Sequence, residues 1–278
     1  MEIYKTIKPL VGKIDRLKKT DNSIGFVPTM GYLHEGHLSL IRKAGKDTDC
    51  CVVSIFVNPI QFGPREDFKR YPRDLEKDLE LCRINGVDIV FIPRVNSMYK
   101  NGFSTSVNVG ELTHNLCGKS RPGHFNGVTT VVIKLFNIVR PDIAYFGQKD
   151  AQQAIVIKKM VEDLNLPVKI KVMPIVRERD GLAMSSRNIY LSPTERKEVL
   201  LYNSLKLAKD LHGKGERDAK KIIKKMSGLM RSQNHAKIDY ISIVDIKRLK
   251  DVNRISGKVL VAVAAKVGKT RLIDNIIL

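Results

Sequence analysis

Gly25-Phe-Val-Pro-Thr-Met-Gly-Tyr-Leu-His34-Glu-Gly-His37 reads as a buried strand that turns into the start of a helix. Ile24 to Val27 are apolar and β-favouring, Pro28 and Gly31 punctuate, and Leu38, Leu40 and Ile41 begin an apolar helical face. His34 and His37 therefore fall on the loop and the first helical turn. The first N–H groups of a helix lack intrahelical acceptors and sit at the positive end of its dipole, so they favour an anion. Two imidazoles three residues apart add donors for phosphoryl oxygens, and Gly36 between them lets a ligand approach the backbone. This stretch is where a nucleotide's phosphates are expected.

From position 24 to about 176 the same alternation continues. Strand-like runs at Ile24 to Val27, Cys51 to Val57, Asp88 to Ile92, Ile143 to Phe146 and Lys169 to Pro174 are separated by helical patterns. Those patterns fit Leu38 to Ala44, Leu75 to Asn85, Val128 to Val139 and Ala151 to Leu164. Strands alternating with helices predict βαβ units and an α/β, Rossmann-like doubly wound parallel sheet, with ligands beyond the carboxyl ends of its strands. After about 177 the character changes. Ser192-Pro-Thr-Glu195 carries an N-cap, a proline at the first helical position and the glutamate of a capping box. A basic helical region then runs to about Gln233, and Ile238 to Val244 and Val259 to Val267 read as strands joined through Ile246 to Gly257. The expected organisation is a first domain over 1–180 and a smaller α+β domain over 181–278, with a boundary near 176 to 186.

The 278 residues suffice for a full core, and a hydrophobic fraction of 43% with a mean hydropathy of −0.17 describes a soluble globular protein. Met1 to Lys19 is charged throughout and carries no apolar signal core, and runs such as Cys50 to Val57 are far too short to span a bilayer. A cytoplasmic protein with no membrane partner is expected. Cys50, Cys51, Cys82 and Cys117 form no C-x-x-C pair and cannot make a disulfide scaffold, and Cys50 and Cys51 open an apolar run as small buried hydrophobes do. Neither a zinc site nor a catalytic thiol is expected.

The net charge of +20 is the strongest argument for a different class, a nucleic-acid binder. Residues 177–278 hold 23 Lys and Arg against 11 Asp and Glu, and residues 1–176 hold 26 against 18, so the excess is spread along the chain. Lys214, Arg217, Lys220, Lys221, Lys224 and Lys225 recur around helical turns with Ile222, Ile223 and Met226 among them, the pattern of a solvated amphipathic helix. No aromatic residues interleave, so no nucleic-acid partner is expected. Positive charge also suits anionic substrates.

Two common motifs are excluded. A zincin needs His-Glu-x-x-His, and here the second histidine comes one residue early. The Gly268-Lys-Thr270 triplet would need a glycine at the place of Val263 to complete a P-loop, and no G-x-G-x-x-G is present. His-x-Gly-His after a strand does resemble the HIGH-type signature of adenylate-forming nucleotidyltransferases. Pro28-Thr-Met-Gly-Tyr-Leu-His-Glu-Gly-His37, Ser54-Ile-Phe-Val-Asn-Pro-Ile-Gln-Phe-Gly63, Tyr71-Pro-Arg73, Arg121-Pro-Gly-His-Phe125, Phe146-Gly-Gln-Lys-Asp150 and Gly181-Leu-Ala-Met-Ser-Ser-Arg-Asn188 together resemble the pantothenate synthetase family. Lys237-Ile-Asp-Tyr240 and Arg271-Leu-Ile-Asp274 extend the likeness more weakly.

The resemblance implies two half-reactions. Pantoate's carboxylate attacks the α-phosphorus of ATP to give pantoyl adenylate and diphosphate, and the β-alanine amine then displaces AMP. It implies His34, His37 and Lys149 as the catalytic group, with His37 either a proton donor or a stabiliser of developing charge. Met30, Gly36, Gly147, Asp150, Val176, Met184, Ser185, Ser186 and Arg187 join these three as ATP contacts. Asp150 would accept from the ribose hydroxyls or cap a helix, Ser185 to Arg187 would grip the triphosphate as a KMSKS loop does, and Val176 and Met184 would flank adenine. Met30, Gln61 and Gln153 are implied for pantoate, with Phe62 as apolar wall, and Gln61, Asn58 and Tyr71 for β-alanine. Mg²⁺ should come with ATP on its phosphate oxygens, Asp78 being a weak protein candidate. The partners implied are pantoate, β-alanine and ATP, in a homodimer, with residues 181–278 a candidate lid. The runner-up is another nucleotidyltransferase of the superfamily that makes no amide.

Overall fold

A computed structural model describes every residue except 65, 198 and 233–235. Its strands are β1 (Glu2–Tyr4), β2 (Ile24–Thr29), β3 (Cys50–Ile55), β4 (Ile89–Phe91), β5 (Ile143–Gly147), β6 (Lys169–Met173), β7 (Ala236–Asp245), β8 (Val259–Val267) and β9 (Thr270–Ile277). Its helices are α1 (Ile7–Lys19), α2 (Glu35–Asp47), α3 (Leu75–Ile84), α4 (Val95–Met98), α5 (Cys117–Ser120), α6 (His124–Val139), α7 (Ala151–Asp163), α8 (Pro193–Lys197), α9 (Leu201–Gly213) and α10 (Ala219–Arg231). The chain forms two compact units. One comprises Met1–Val109, Arg121–Gly147 and Gln153–Pro174, and the other Gly110–Ser120, Gln148–Gln152 and Ile175–Leu278.

In the first unit β1 to β6 make one sheet in the order β1-β4-β3-β2-β5-β6, and every pairing is parallel. The strand order reverses between β2 and β5, which makes their carboxyl ends the topological switch point. Both faces are covered, as a parallel sheet requires. Val27 joins Leu38, Ile41 and Ala44 of α2 in one core cluster, whereas its neighbour Phe26 meets Phe136 of α6 edge-on at 6.4 Å. Each such fully buried side chain contributes about 1.5–3 kcal/mol. Edge strand β1 has too few residues for a periodic signal, and neither it nor α1 was legible in the sequence. Cys50 and Cys51 are buried as expected of small hydrophobes.

The second unit contains an antiparallel sheet in the order β7-β8-β9. The capping box forms: the Ser192 backbone N–H donates to Glu195 Oε2 at 2.8 Å, and the Glu195 N–H donates to Ser192 Oγ at 3.2 Å. The basic region is not one helix. Gly215 at φ +95° turns the chain between α9 and α10, so Lys214 and Arg217 leave the helical face and Arg217 Nη1 donates to the His212 carbonyl at 2.6 Å. Lys220, Lys221, Lys224 and Lys225 remain on the solvated face of α10, opposite buried Ile222, Met226 and Met230, while Gln233 lies outside the described residues. Strand β9 escaped the sequence reading because an aspartate, Asp274, occupies one of its buried positions and breaks the apolar alternation.

Candidate functional site

The loop after β2 is built to deliver two imidazoles to the start of α2. Gly31 at φ +82° and Tyr32 at φ +51° are both left-handed. The left-handed region costs a residue with a Cβ roughly 1–2 kcal/mol, and a Cβ on Gly31 would meet Asp78 Oδ2 at 2.9 Å. This turn aims consecutive backbone N–H groups at one carboxylate: Asp78 Oδ2 accepts from Tyr32 at 2.8 Å and Oδ1 from Leu33 at 2.7 Å. Asp78 lies on α3 and is 2% exposed. Burial pushes its carboxyl above the usual range, and the two N–H bonds offset only part of that.

Beyond the turn, His34 is the N-cap of α2. Its Nδ1 accepts from the Gly36 N–H at 3.2 Å, the Nδ1 of His37 accepts from the His34 N–H at 3.4 Å, and the ring centroids lie 4.1 Å apart. Two acceptor Nδ1 atoms put the proton of each neutral ring on Nε2, so both rings carry an Nε2–H donor at a helix N-terminus. The arrangement suits an anion that bridges the pair.

A second polar cluster lies in the same unit, after β3. Gln61, 9% exposed, ends a short 3₁₀ turn, Pro59–Gln61. Its Nε2 donates to Met30 Sδ at 3.0 Å, and its Oε1 accepts from Asn58 Nδ2 at 3.1 Å. Its backbone carbonyl accepts from Arg121 Nη2 at 3.3 Å and lies 2.8 Å from His124 Nδ1. Arg121 is donor-only and its Nη1 stands 2.9 Å from His124 Nε2, so that nitrogen accepts and Nδ1 carries the proton towards Gln61. Glu66 holds Arg121 through both carboxylate oxygens, at 2.7 and 2.6 Å. Gly127 of α6 allows the turn to come close, since a Cβ there would sit 2.4 Å from the Ile60 carbonyl oxygen and 2.6 Å from Gln61 Cα. Phe62 packs against Phe68 at 5.4 Å and buried Tyr71 at 6.0 Å. Gly147 ends β5, and half-buried Gln153 lies in the first turn of α7.

The remaining expected residues belong to the second unit. Lys149 and Asp150 share a 3₁₀ turn, Gln148–Asp150, anchored by β9: Asn275 Nδ2 donates to the carbonyls of Gln148 at 2.9 Å and Lys149 at 3.0 Å. Next to Asn275, Asp274 is 3% exposed and accepts from Nη1 and Nη2 of Arg177, at 2.6 and 3.0 Å. Burial pushes the Asp274 carboxyl up against the pull of Arg177. Val176 and Met184 face each other across a short hairpin, the Met184 N–H donating to the Val176 carbonyl at 3.0 Å. Ser185 caps the 3₁₀ turn Ser186–Tyr190, its Oγ accepting from the Arg187 N–H at 3.3 Å. Gln152 differs from its neighbour Gln153. It is buried, donates to the Leu112 and Asn115 carbonyls and accepts from the Cys117 N–H, all at 2.9 Å.

A family model for pantoate–β-alanine ligase matches residues 2–277. The chain belongs to the pantoate–β-alanine ligase family. A pantothenate synthetase of Acetivibrio thermocellus is 59% identical over all of this chain and 99% of that protein, and one of Thermotoga petrophila is 57% identical over the whole of both. The crystal structure of pantothenate synthetase from Thermus thermophilus matches with a TM-score of 0.95 at 44% identity, covering 99% of each chain. That of a pantoate–β-alanine ligase from Francisella tularensis, in complex with β-γ ATP and β-alanine, matches with a TM-score of 0.82 at 36% identity, covering 99% and 97%.

Within this ligase, sequence reading missed Tyr99, whose hydroxyl donates to Asn58 Oδ1 at 2.7 Å, and the part His124 plays at the Gln61 carbonyl. His124 belongs to the Arg121–Phe125 block, but nothing in its spacing ties it to Gln61. All four cysteines are buried, and burial pushes the Cys50 thiol up to about 11 and Cys82 up to about 12, so both stay protonated near neutrality. Among the described residues no cluster of three His, Cys, Asp or Glu side chains is placed to hold a metal, and no helix is long and apolar enough to cross a membrane.

Proposed function

We infer that this chain joins pantoate to β-alanine with consumption of ATP, through a pantoyl adenylate, releasing diphosphate and then AMP. The observation that carries the reading is the pairing of Gln61 with Met30 at the carboxyl ends of β3 and β2, in the unit whose switch-point helix begins with the facing imidazoles of His34 and His37. An amide and a thioether present a polar grip and an apolar wall, which is what a hydroxy acid with a gem-dimethyl group requires.

In the first half-reaction a pantoate carboxylate oxygen forms a bond to the α-phosphorus and the bond to the bridging oxygen of diphosphate breaks. No proton need move, so the Nε2–H donors of His34 and His37 serve by stabilising charge that grows on the phosphoryl oxygens. Lys149 supplies a further cation, Ser185, Ser186 and Arg187 hold triphosphate oxygens, Asp150 accepts from the ribose, and Gly36, Gly147, Val176 and Met184 line the nucleotide. In the second half-reaction the neutral amine of β-alanine attacks the acyl carbon, the acyl–phosphate bond breaks with AMP leaving, and the ammonium proton passes to solvent. Gln61 and Gln153 hold pantoate, and Gln61 and Tyr71 lie at the β-alanine position. Mg²⁺ would come with ATP and be held mainly by its phosphate oxygens, where it would offset their charge; Asp78, whose two oxygens each accept a backbone N–H, serves the loop before His34 instead. The reading includes a cytoplasmic homodimer.

The test is diphosphate release with ATP, Mg²⁺ and pantoate, with and without β-alanine, for the wild type, His37→Ala and Lys149→Ala. Turnover that needs both pantoate and β-alanine and is lost in both variants supports the assignment. A folded, metal-supplied enzyme that shows no pantoate-dependent release would overturn it.

A further inference from the structure

Asn58 is 1% exposed and every polar atom of its side chain is engaged. Nδ2 donates to the Gly127 carbonyl at 3.0 Å and to Gln61 Oε1 at 3.1 Å, and Oδ1 accepts from the Tyr99 hydroxyl at 2.7 Å. The sense of this amide is not arbitrary. A carbonyl can only accept, so Gly127 requires the NH₂ group on its side, which turns Oδ1 towards Tyr99 and obliges the phenol to donate. Burial pushes the Tyr99 phenol well above its ordinary value, so it keeps that proton at any working pH. The ring is itself held, with Phe103 at 5.0 Å, Phe56 at 6.3 Å and the Lys134 ammonium 5.9 Å from its centroid.

The fixed amide of Asn58 fixes the next one. Because Nδ2 donates to Gln61 Oε1, the Gln61 carboxamide must turn its NH₂ group away, where one N–H meets Met30 Sδ. The other N–H is left to donate, and an NH₂ group grips a carboxylate or hydroxyl oxygen and rejects a donor. A flipped Gln61 would offer the opposite sense.

We propose that Tyr99 is a positioning residue for the acid substrate: it holds Asn58 in the sense that the Gly127 carbonyl dictates, and through Asn58 it holds the donor and acceptor sense of Gln61, and so the enzyme's preference for a hydroxy acid that presents oxygen acceptors. Asn58 then acts within this chain of bonds and not as a direct β-alanine contact. The proposal rests on the pantoate assignment above.

The experiment measures KM for pantoate and for ATP, and kcat, in Tyr99→Phe, Asn58→Ala and the double variant. Tyr99→Phe removes one hydroxyl and leaves a buried acceptor unpaired, so KM for pantoate rises about tenfold while KM for ATP stays within about twofold. If Tyr99 works through Asn58, the double variant is no worse than Asn58→Ala alone. Equal rises for both substrates, or additive losses in the double variant, would reduce Tyr99 to a packing residue and overturn the proposal. Should Tyr99→Phe fail to fold, Asn58→Asp decides: it still accepts from Tyr99 but cannot donate to Gln61, and an unchanged KM for pantoate rejects the chain of bonds. A wild type with no pantoate dependence sinks the functional reading itself, whereas a pantoate-dependent wild type with an unaffected Tyr99→Phe sinks only this inference.

Discussion

Asp78 and Leu33, 45 residues apart in sequence, meet at 2.7 Å, and the other oxygen of the same carboxylate takes the N–H of Tyr32 at 2.8 Å. One buried side chain thus fixes two consecutive backbone groups immediately before His34. The left-handed Tyr32 is tolerable because its N–H gains a charge-assisted bond.

Asp78→Asn is expected to test that clamp. An amide accepts from one of the two N–H groups but turns its own NH₂ on the other, leaving a buried donor unmatched at about 1–3 kcal/mol. Urea unfolding should register that loss, and displacement of His34 should lower kcat/KM for diphosphate release by about tenfold or more. Wild-type stability and rate in the variant would show that the carboxylate does not hold the loop.

For the histidine pair, His37→Asn separates capping from chemistry. Asn can accept the His34 N–H as the ring Nδ1 does, so stability should hold within about 0.5 kcal/mol. It lacks the Nε2–H, so the rate of pantoate-dependent diphosphate release should fall on the order of 10²-fold. A variant that is unstable and fully active per folded molecule would assign His37 to capping alone.

At Gly127 the contact is backbone against backbone, which cannot give way as a flexible side chain can. Gly127→Ala would force Ile60 and Gln61 to move, because a Cβ has contacts of 2.4 and 2.6 Å there. Overpacking of this kind costs about 1–3 kcal/mol, and the shifted Gln61 should raise KM for pantoate more than KM for ATP. Parallel substrate titrations would read the difference.

Acid stability should depend on Asp47. The Lys171 ammonium first, then Lys43 and Tyr145, holds its carboxyl far below the usual range, with Oδ2 2.5 Å from Lys171 and Oδ1 2.6 Å from Lys43. A carboxylate whose folded pKa is depressed stabilises the fold above its unfolded value, near about 4, and that contribution fades as pH falls towards the folded value. Asp47→Asn should therefore be less stable than wild type at pH 7, the gap shrinking between roughly pH 5 and pH 2. Thermal unfolding across that range would detect it, and a gap that is constant with pH would reject the ion pairs as its source.

The segment from Ile24 to Ala44 was legible because one strand period, one turn and one helical period follow each other without interruption, and both histidines land where the caps of α2 place them. The Ser192 capping box was legible for the same reason, since its two bonds close within four residues. By contrast Tyr99 is 41 residues from Asn58, His124 is 63 from Gln61, and Gly127 is 69 from Asn58. Nothing in local periodicity links them. Adjacent Gln152 and Gln153 look equivalent in sequence, yet successive helix positions point about 100° apart, and only the packed helix commits Gln152 to the Leu112 and Asn115 carbonyls.

Short-range physics is thus written in the order of the residues: alternating strands and helices, a parallel sheet with its ligand end, the anion-seeking start of α2, and blocks distinctive enough to mark the ligase family. Which polar groups meet across long separations is settled only on folding, and with it the donor sense of Gln61, the service of Asp78 to a backbone turn and the partnership of Arg177 with Asp274. A hydrogen bond inside a packed protein depends on where distant elements place its two ends, and an unpaired end there is costly enough to fix every partner along the chain of bonds.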